Sequence, residues 1–234
     1  MAYLEGTNLV AAYGVVPILH ECSVKVEKGE LAVIVGPNGA GKSTVMRVLL
    51  GMLEATSGSV TLDGNDISML STQERISLGL AFVPQNKNVF PSMTVEENLE
   101  MGAFLRTDDI KKTMEEVYSL FPILYEKRRQ LAEELSGGQR QQVAFGRAMM
   151  TQPSVMLLDE PTAGVSPIVM DEIFSNILDL KNSGRAVLMV EQNAQQALNI
   201  ADKGFVLVSG RNEHIGTGKE LIANPEVRKK FLGG

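Results

Sequence analysis

The chain of 234 residues is long enough for one substantial core with a small added subdomain, but short for two full-sized domains. A hydrophobic content of 44% with 21% charged residues is ordinary for a globular protein and excludes disordered and collagen-like classes. The 22 Lys and Arg residues against 28 Asp and Glu give a net charge of −6, which argues against a nucleic-acid partner and against a basic face for anionic lipid.

The first ten residues, MAYLEGTNLV, contain no basic segment that leads into an apolar one. No apolar run in the sequence approaches the roughly 18 residues that a membrane-spanning helix needs. We therefore expect a cytoplasmic chain without a spanning helix of its own.

Two kinds of strand are predicted. Period-2 alternation with turn residues between the segments predicts antiparallel strands in LEGTNLV (4–10), CSVKVEKGE (22–30) and GSVTLDG (58–64). Short runs that are almost entirely apolar fit strands buried on both faces, as in a parallel sheet covered by helices. These runs are LAVIVG (31–36), LAFVP (80–84), SVMLLDE (154–160), AVLMV (186–190) and FVLVSG (205–210).

The first apolar run leads directly into GPNGAGKST, which matches G-x-x-x-x-G-K-[ST] and precedes a helical pattern. Glycines allow backbone N–H groups to turn inward around a phosphate, and the N-terminus of a helix adds positive potential. Lys42 would reach the β and γ phosphates, and Ser43 would offer its hydroxyl to Mg²⁺. The predicted nucleotide-binding residues are Gly36, Pro37, Asn38, Gly39, Ala40, Gly41, Lys42, Ser43 and Thr44.

Between residues 94 and 150 the strand signal disappears, and helical patterns occupy TVEENLEMGAFL, DDIKKTMEEVYSLF and QRQQVAFGRAMM. Thr94 and Glu97 have the spacing of a capping box at the start of the first of these helices. The segment therefore predicts a helical insertion between two strands of the core. A further helix, SPIVMDEIFSNILDLKNSG, is expected to end near Gly184.

Within the insertion, LSGGQRQQ (135–142) places a serine and two glycines just before a helical run. This arrangement also presents backbone N–H groups at a helix N-terminus and predicts a second phosphate-binding end. Its residues are Ser136, Gly137, Gly138 and Gln139. One nucleotide does not need two such ends from one chain.

Two later strands end in polar side chains. SVMLLDE ends in Asp159, which could hold the Mg²⁺ shell, and in Glu160, which could polarise an attacking water. AVLMV runs straight into Glu191, Gln192 and Asn193, so this buried strand also ends where a polar group must be met.

The LSGGQ segment, together with the phosphate-binding loop and SVMLLDE, resembles the ATP-binding subunit of an ABC transporter over essentially the whole chain. The resemblance implies an α/β fold with a P-loop NTPase (RecA-like) core and a mainly parallel sheet. It also implies an N-terminal antiparallel β subdomain and a helical signature subdomain. The core would span about 1–88 and 153–234, and the helical subdomain about 89–152.

The family resemblance also implies roles for single residues. The signature of one subunit would cap the ATP held by the phosphate-binding loop of another, so two ATP molecules lie between two subunits. Tyr13 in AAYG would stack on adenine, although a tyrosine in a strand pattern is also explained by packing. Gln85 in FVPQ would contact Mg²⁺ and water and sense the membrane subunit.

Two departures from the family pattern concern hydrolysis. Gln192 stands where the family has a histidine that contacts the γ-phosphate, and an amide carries neither a proton nor a positive charge. Because Glu160 is retained, we still expect hydrolysis. In the D-loop, Val165 and Ser166 replace the Leu-Asp of many relatives, so communication between the two ATP sites is expected to differ.

Three segments resemble the second ATPase subunit of bacterial branched-chain amino acid importers: VEQNAQQAL, VFPSMTVEENLEMGA and VRKKFLGG. The implied partners are a second ATPase subunit, two membrane permeases and, indirectly, a solute-binding protein, with the chain at the cytoplasmic face of the inner membrane. Homodimers and heterodimers both remain open, as do urea, amides and other amino acids as solutes. A soluble phosphotransferase would have no use for LSGGQ, and non-transport relatives usually carry two cassettes or long coiled-coil insertions.

Overall fold

Ten strands form two sheets in the chain, for which a computed structural model describes residues 3–86 and 88–232. The strands are β1 (Leu4–Tyr13), β2 (Val16–Val26), β3 (Leu31–Val35), β4 (Ser57–Leu62), β5 (Asn65–Asp66), β6 (Leu80–Val83), β7 (Val155–Asp159), β8 (Ala186–Val190), β9 (Lys203–Val208) and β10 (Arg211–Gly216). One sheet has the order β2-β1-β4-β5 and is antiparallel. The predicted antiparallel strands near the start of the chain are therefore confirmed.

The second sheet has the order β10-β9-β3-β8-β7-β6, and all its neighbours are parallel except the pair β9 and β10. All five predicted apolar runs lie in this sheet. Every residue of β3 and of β8 is buried, because the sheet is covered on both faces. Since parallel strands end at the same edge, the segments that follow β3, β7 and β8 meet there.

Ten α-helices, a short 3-10 helix (Ala132–Glu134) and a π-helical turn (Arg228–Leu232) complete the fold of the described residues. The α-helices are α1 (Lys42–Leu49), α2 (Thr72–Ser77), α3 (Val95–Gly102), α4 (Lys111–Leu120), α5 (Pro122–Glu126), α6 (Gly137–Met149), α7 (Pro167–Asn182), α8 (Ala194–Ile200), α9 (Gly218–Ala223) and α10 (Pro225–Val227). Thr94 and Glu97 form the expected capping box, and Gly184 follows α7 with a φ of 89°. None of the helices in the described parts of the chain is long and apolar enough to cross a membrane.

Two hydrophobic cores lie on opposite faces of the parallel sheet. Leu31, Val33 and Val35 of β3 face the core shared with the helical insertion. Ala32 and Ile34, which alternate with them, face the core shared with the antiparallel sheet and α1. The parallel sheet thus packs against the helical insertion on one face and against the N-terminal strands on the other. The predicted limits of the subdomains stay a prediction.

Candidate functional site

The loop between β3 and α1 has the backbone of a phosphate cradle. Gly36, Gly39 and Gly41 have φ angles of 153°, 78° and 98°, a region that favours glycine. A Cβ at Gly36 would lie 2.1 Å from the carbonyl oxygen of Leu207, so this position accepts no side chain. Gly41 at the N-cap makes no side-chain hydrogen bond to α1, which leaves the helix N-terminus free for an anion.

Lys42 is buried inside this loop. Its Nζ donates hydrogen bonds to the carbonyl oxygens of Gly36, at 2.9 Å, and Pro37, at 3.2 Å. Burial lowers the pKa of Lys42, and the nearby carboxylates of Glu160 and Asp159 oppose that shift. No carboxylate of the described residues forms an ion pair with its ammonium, so a bound anion would meet an incompletely neutralised cation.

Ser43 and Asp159 lie next to each other at the same sheet edge. The Ser43 hydroxyl donates a hydrogen bond to Asp159 Oδ1 at 3.2 Å. Burial raises the pKa of Asp159, and this hydrogen bond acts in the opposite direction. Hydroxyl and carboxylate oxygens are ligands that Mg²⁺ accepts, usually together with phosphate and water. Within residues 3–86 and 88–232 no three His, Cys, Asp or Glu side chains form a self-contained metal site.

Glu160 follows Asp159 and turns toward the loop. Its φ is 46°, and its backbone N–H donates to the Val190 carbonyl at 2.9 Å, so the sheet holds it in a left-handed conformation that costs about 1–2 kcal/mol. Gln85 Nε2 donates a hydrogen bond to Glu160 Oε2 at 2.9 Å. Glu160 also lines a cavity of about 250 Å³ with residues 38–44, so the structure brings these predicted residues together.

Gln192, directly after β8, lines two cavities. One of about 280 Å³ includes Gly36, Pro37 and Asn38, and the other, of about 290 Å³, includes Glu160. Gln192 thus lies between the phosphate-binding loop and the end of β7, although its proposed contact with the γ-phosphate stays a prediction.

Glu191, which had no assigned role, is almost fully buried, with 2% of its surface exposed. Its Oε1 accepts hydrogen bonds from Thr162 N at 3.1 Å and from Thr162 Oγ1 at 2.7 Å. Its Oε2 accepts one from Gln192 N at 3.1 Å. Burial raises the pKa of Glu191, against the effect of these hydrogen bonds. The signal in the sequence is a carboxylate that directly follows an entirely apolar strand.

Tyr13 lies at the end of β1 with 42% of its surface exposed. Its hydroxyl accepts a hydrogen bond from Arg47 of α1 at 3.1 Å. Tyr13 does not line the cavities next to the phosphate-binding loop. An exposed ring fits a stacking role, which stays a prediction.

The signature residues begin α6. Ser136 is the N-cap and forms a capping box with Gln139, while Gly137 and Gly138 are the first helical residues. A Cβ at Gly138 would lie 2.9 Å from Val169 of α7, so two helices pack closely here. Ser136 and Gly137 are exposed, and none of residues 135–142 lines the cavities next to this chain's own phosphate-binding loop.

The C-terminal turn also approaches the loop, which the sequence did not indicate. Arg228, Lys229 and Lys230 of VRKKF are exposed, whereas Phe231 packs against the core shared with the helical insertion. Lys230 and Phe231 line the same cavity as Gly36 and Gln192. Lys230 also forms an ion pair with Glu213 of β10.

A parallel sheet with a lysine-containing phosphate cradle after one strand and adjacent carboxylates after another defines a P-loop nucleoside triphosphatase. The model of one family, described as ABC transporter, matches residues 19–163. The chain belongs to the ABC transporter family, and it is an ATPase that binds ATP.

Relatives match the chain over nearly its whole length. The high-affinity branched-chain amino acid transport ATP-binding protein BraG of Pseudomonas aeruginosa is 44% identical over 223 residues, which cover 95% of this chain and 96% of BraG. The probable branched-chain amino acid transport ATP-binding protein LivF of Archaeoglobus fulgidus is 38% identical, and the match covers 98% of each chain. A crystal structure of the ADP conformation of an ATP-binding cassette of an ABC transporter superimposes with a TM-score of 0.88, at 31% identity and with full coverage of both chains.

Proposed function

We propose that this chain is the ATPase subunit that powers an importer of branched-chain or other hydrophobic amino acids. The similarity to BraG and LivF over nearly all of each chain carries this proposal. Importers of urea, amides or other amino acids remain the alternative within the same branch. A soluble phosphotransferase is not favoured, because the signature segment would have no role in it.

Hydrolysis would use the residues that meet at the edge of the parallel sheet. Lys42 and the backbone N–H groups of the loop would bind the phosphates, and Ser43, Asp159 and Gln85 would hold Mg²⁺. When bound, Mg²⁺ neutralises charge on the phosphate oxygens. Glu160 polarises the attacking water while Gln85 orients its carboxylate.

Gln192 would donate an amide hydrogen bond to the γ-phosphate. A neutral donor stabilises developing negative charge less than an imidazolium does, so we expect slower hydrolysis than in a relative with histidine at this position. Tyr13 would stack on the adenine ring from the end of β1.

A second ATPase subunit would complete the nucleotide site. Ser136, Gly137, Gly138 and Gln139 would cap the ATP of that subunit, and its signature would cap the ATP bound by this chain. The exposure of Ser136 and Gly137, away from this chain's own phosphate-binding loop, supports this arrangement. The importers that this chain resembles pair two different ATPase subunits, so the proposed assembly is a heterodimer, with a homodimer as the alternative.

An apolar groove of about 720 Å³ between the parallel sheet and the helical insertion would receive the permeases. Five large apolar side chains of its lining are exposed to between 39% and 75%: Met52, Phe90, Met101, Phe104 and Leu105. Contiguous exposed apolar surface of this kind marks an interaction site. Pro84 lines the groove, and the next residue, Gln85, is hydrogen-bonded to Glu160, so docking in the groove would act on Glu160 through this segment. The chain would lie at the cytoplasmic face of the cell membrane, and a solute-binding protein would contact the permeases only.

Uptake of labelled leucine by cells that lack this chain tests the proposal. We expect uptake to return with the parent chain and to stay near background with Phe104→Glu, because docking of a permease would bury the new carboxylate against apolar surface. Met69→Glu is the matched control, since Met69 is 87% exposed and does not line the groove. It should restore full uptake.

The same cells are supplied with labelled urea in parallel. Restoration of urea uptake without leucine uptake would replace the proposed solute with the alternative. Equal uptake with Phe104→Glu and the parent would show that the permeases do not dock in this groove. Copurification of the permeases with each variant separates failed docking from failed transport.

A further inference from the structure

A buried carboxylate connects the two strand ends that carry the residues proposed for hydrolysis. Glu191 follows β8, and Thr162 lies two residues after Glu160 in the loop that leaves β7. Two of the three hydrogen bonds to Glu191 come from Thr162, through its backbone N–H and its hydroxyl. Glu191 and Thr162 are both buried, with 2% and 4% of their respective surfaces exposed.

Because Glu191 is buried, its hydrogen bonds to Thr162 are costly to break. A carboxylate removed from water is costly unless it is hydrogen-bonded, and Glu191 has no ion-pair partner among the described residues. If the loop moved away from β8, the carboxylate would lose both donors on Oε1 at once. The side chain of Glu191 therefore holds the loop after β7 to the end of β8, in addition to the backbone hydrogen bond between Glu160 and Val190.

The hydrogen bonds of Glu191 lie directly beside Glu160 and Gln192. Glu160 is the residue before the turn that contains Thr162, and its backbone N–H is bonded to Val190, the last residue of β8. The backbone N–H of Gln192 donates a hydrogen bond to Glu191 Oε2. Glu160, Thr162, Glu191 and Gln192 line one cavity of about 290 Å³. Glu191 thus holds both sides of that cavity through its two oxygens.

We propose that Glu191 is a positioning residue that keeps Glu160 and Gln192 at fixed positions relative to each other for ATP hydrolysis. Its Oε1 anchors the loop after Glu160, and its Oε2 anchors the backbone of Gln192. This role requires no contact between Glu191 and ATP. The inference rests on the proposed roles of Glu160 and Gln192.

Steady-state hydrolysis by the assembled transporter tests the inference, with kcat and KM measured separately. Glu191→Ala is expected to lower kcat about 10- to 100-fold, since small displacements of reacting groups have effects of this size, with KM changed less than about threefold. Glu191→Gln should lie between Glu191→Ala and the parent, because one oxygen can still accept from Thr162 while the bond from Gln192 N–H is lost.

Thr162→Val removes only the hydroxyl and should lower kcat about threefold to tenfold by the same positioning argument. The double variant Glu191→Ala with Thr162→Val should match Glu191→Ala alone, because the shared link is already broken. Thr113→Val is the control: it removes a buried hydroxyl from α4 that also takes part in hydrogen bonds, but outside the cavities of the site. Its kcat should equal that of the parent.

Additive effects of Glu191→Ala and Thr162→Val on kcat would overturn the inference, as would an unchanged kcat in Glu191→Gln and Thr162→Val. A lower melting temperature with unchanged kcat would assign Glu191 to stability alone. If Glu191→Ala fails to fold, the two milder variants still decide. The solute is tested separately by leucine uptake, so loss of that proposal leaves this experiment intact.

Discussion

Glu160→Gln is expected to slow ATP hydrolysis by about 10²- to 10⁴-fold, the usual contribution of a positioned general base. The amide has the shape of the carboxylate but cannot accept a proton from water. The left-handed backbone at Glu160, its N–H bond to Val190 and the bond from Gln85 fix this side chain beside the phosphate-binding loop. No other carboxylate in the described part of the chain shares that geometry, so none is expected to replace it.

Initial rates of phosphate release from the assembled transporter, together with ATP affinity, measure this effect. Affinity should stay within about threefold of the parent, because the phosphate contacts of Lys42 and the loop remain. Glu115→Gln, at an exposed position on α4, is the control and should hydrolyse ATP at the parental rate. A Glu160→Gln rate within threefold of the parent would show that another group activates the water.

Lys42→Ala is expected to weaken ATP binding by about 10- to 150-fold, the equivalent of one charged hydrogen bond worth 1.5–3 kcal/mol. The Lys42 ammonium is buried and bonded only to the carbonyl oxygens of its own loop, so it is already placed for an incoming phosphate. Alanine at this position removes the cation and leaves the cradle of backbone N–H groups.

Calorimetric titration of the isolated chain with Mg-ATP measures the change in affinity. The temperature of thermal unfolding without nucleotide should be unchanged or slightly higher than that of the parent, because burial of an ammonium that nearby carboxylates neutralise only in part is unfavourable to the fold. Lys112→Ala, on the exposed face of α4, should bind ATP as the parent does. Unchanged affinity in Lys42→Ala would contradict the proposed site.

Local patterns in the sequence predicted most of the framework. The five apolar runs are the five parallel strands because burial on both faces demands continuous apolar residues. The capping box at Thr94 and Glu97 depends on residues three apart, so it could also be predicted. The segments after β3, β7 and β8 meet because parallel strands end at one edge of a sheet.

Features that depend on distant parts of the chain were missed. Glu191 and Thr162 are separated by 29 residues, and only the pairing of β7 with β8 brings them together. Phe231 reaches the cavity beside Gly36 through the packing of the last turn on the core, which no pattern within VRKKF indicates. The short helix Pro122–Glu126 was also missed, because five residues carry too little periodicity to be recognised.

The central claim, that ATP is enclosed between two ATPase subunits, is tested most directly by the mass in solution of the Glu160→Gln chain. Light scattering is recorded with and without Mg-ATP, for the chain alone and mixed with the second ATPase subunit of the same importer. We expect a single-chain mass without ATP and a two-chain mass with ATP, at least in the mixture. A chain that binds ATP in calorimetry but keeps its single-chain mass in every sample would contradict the claim.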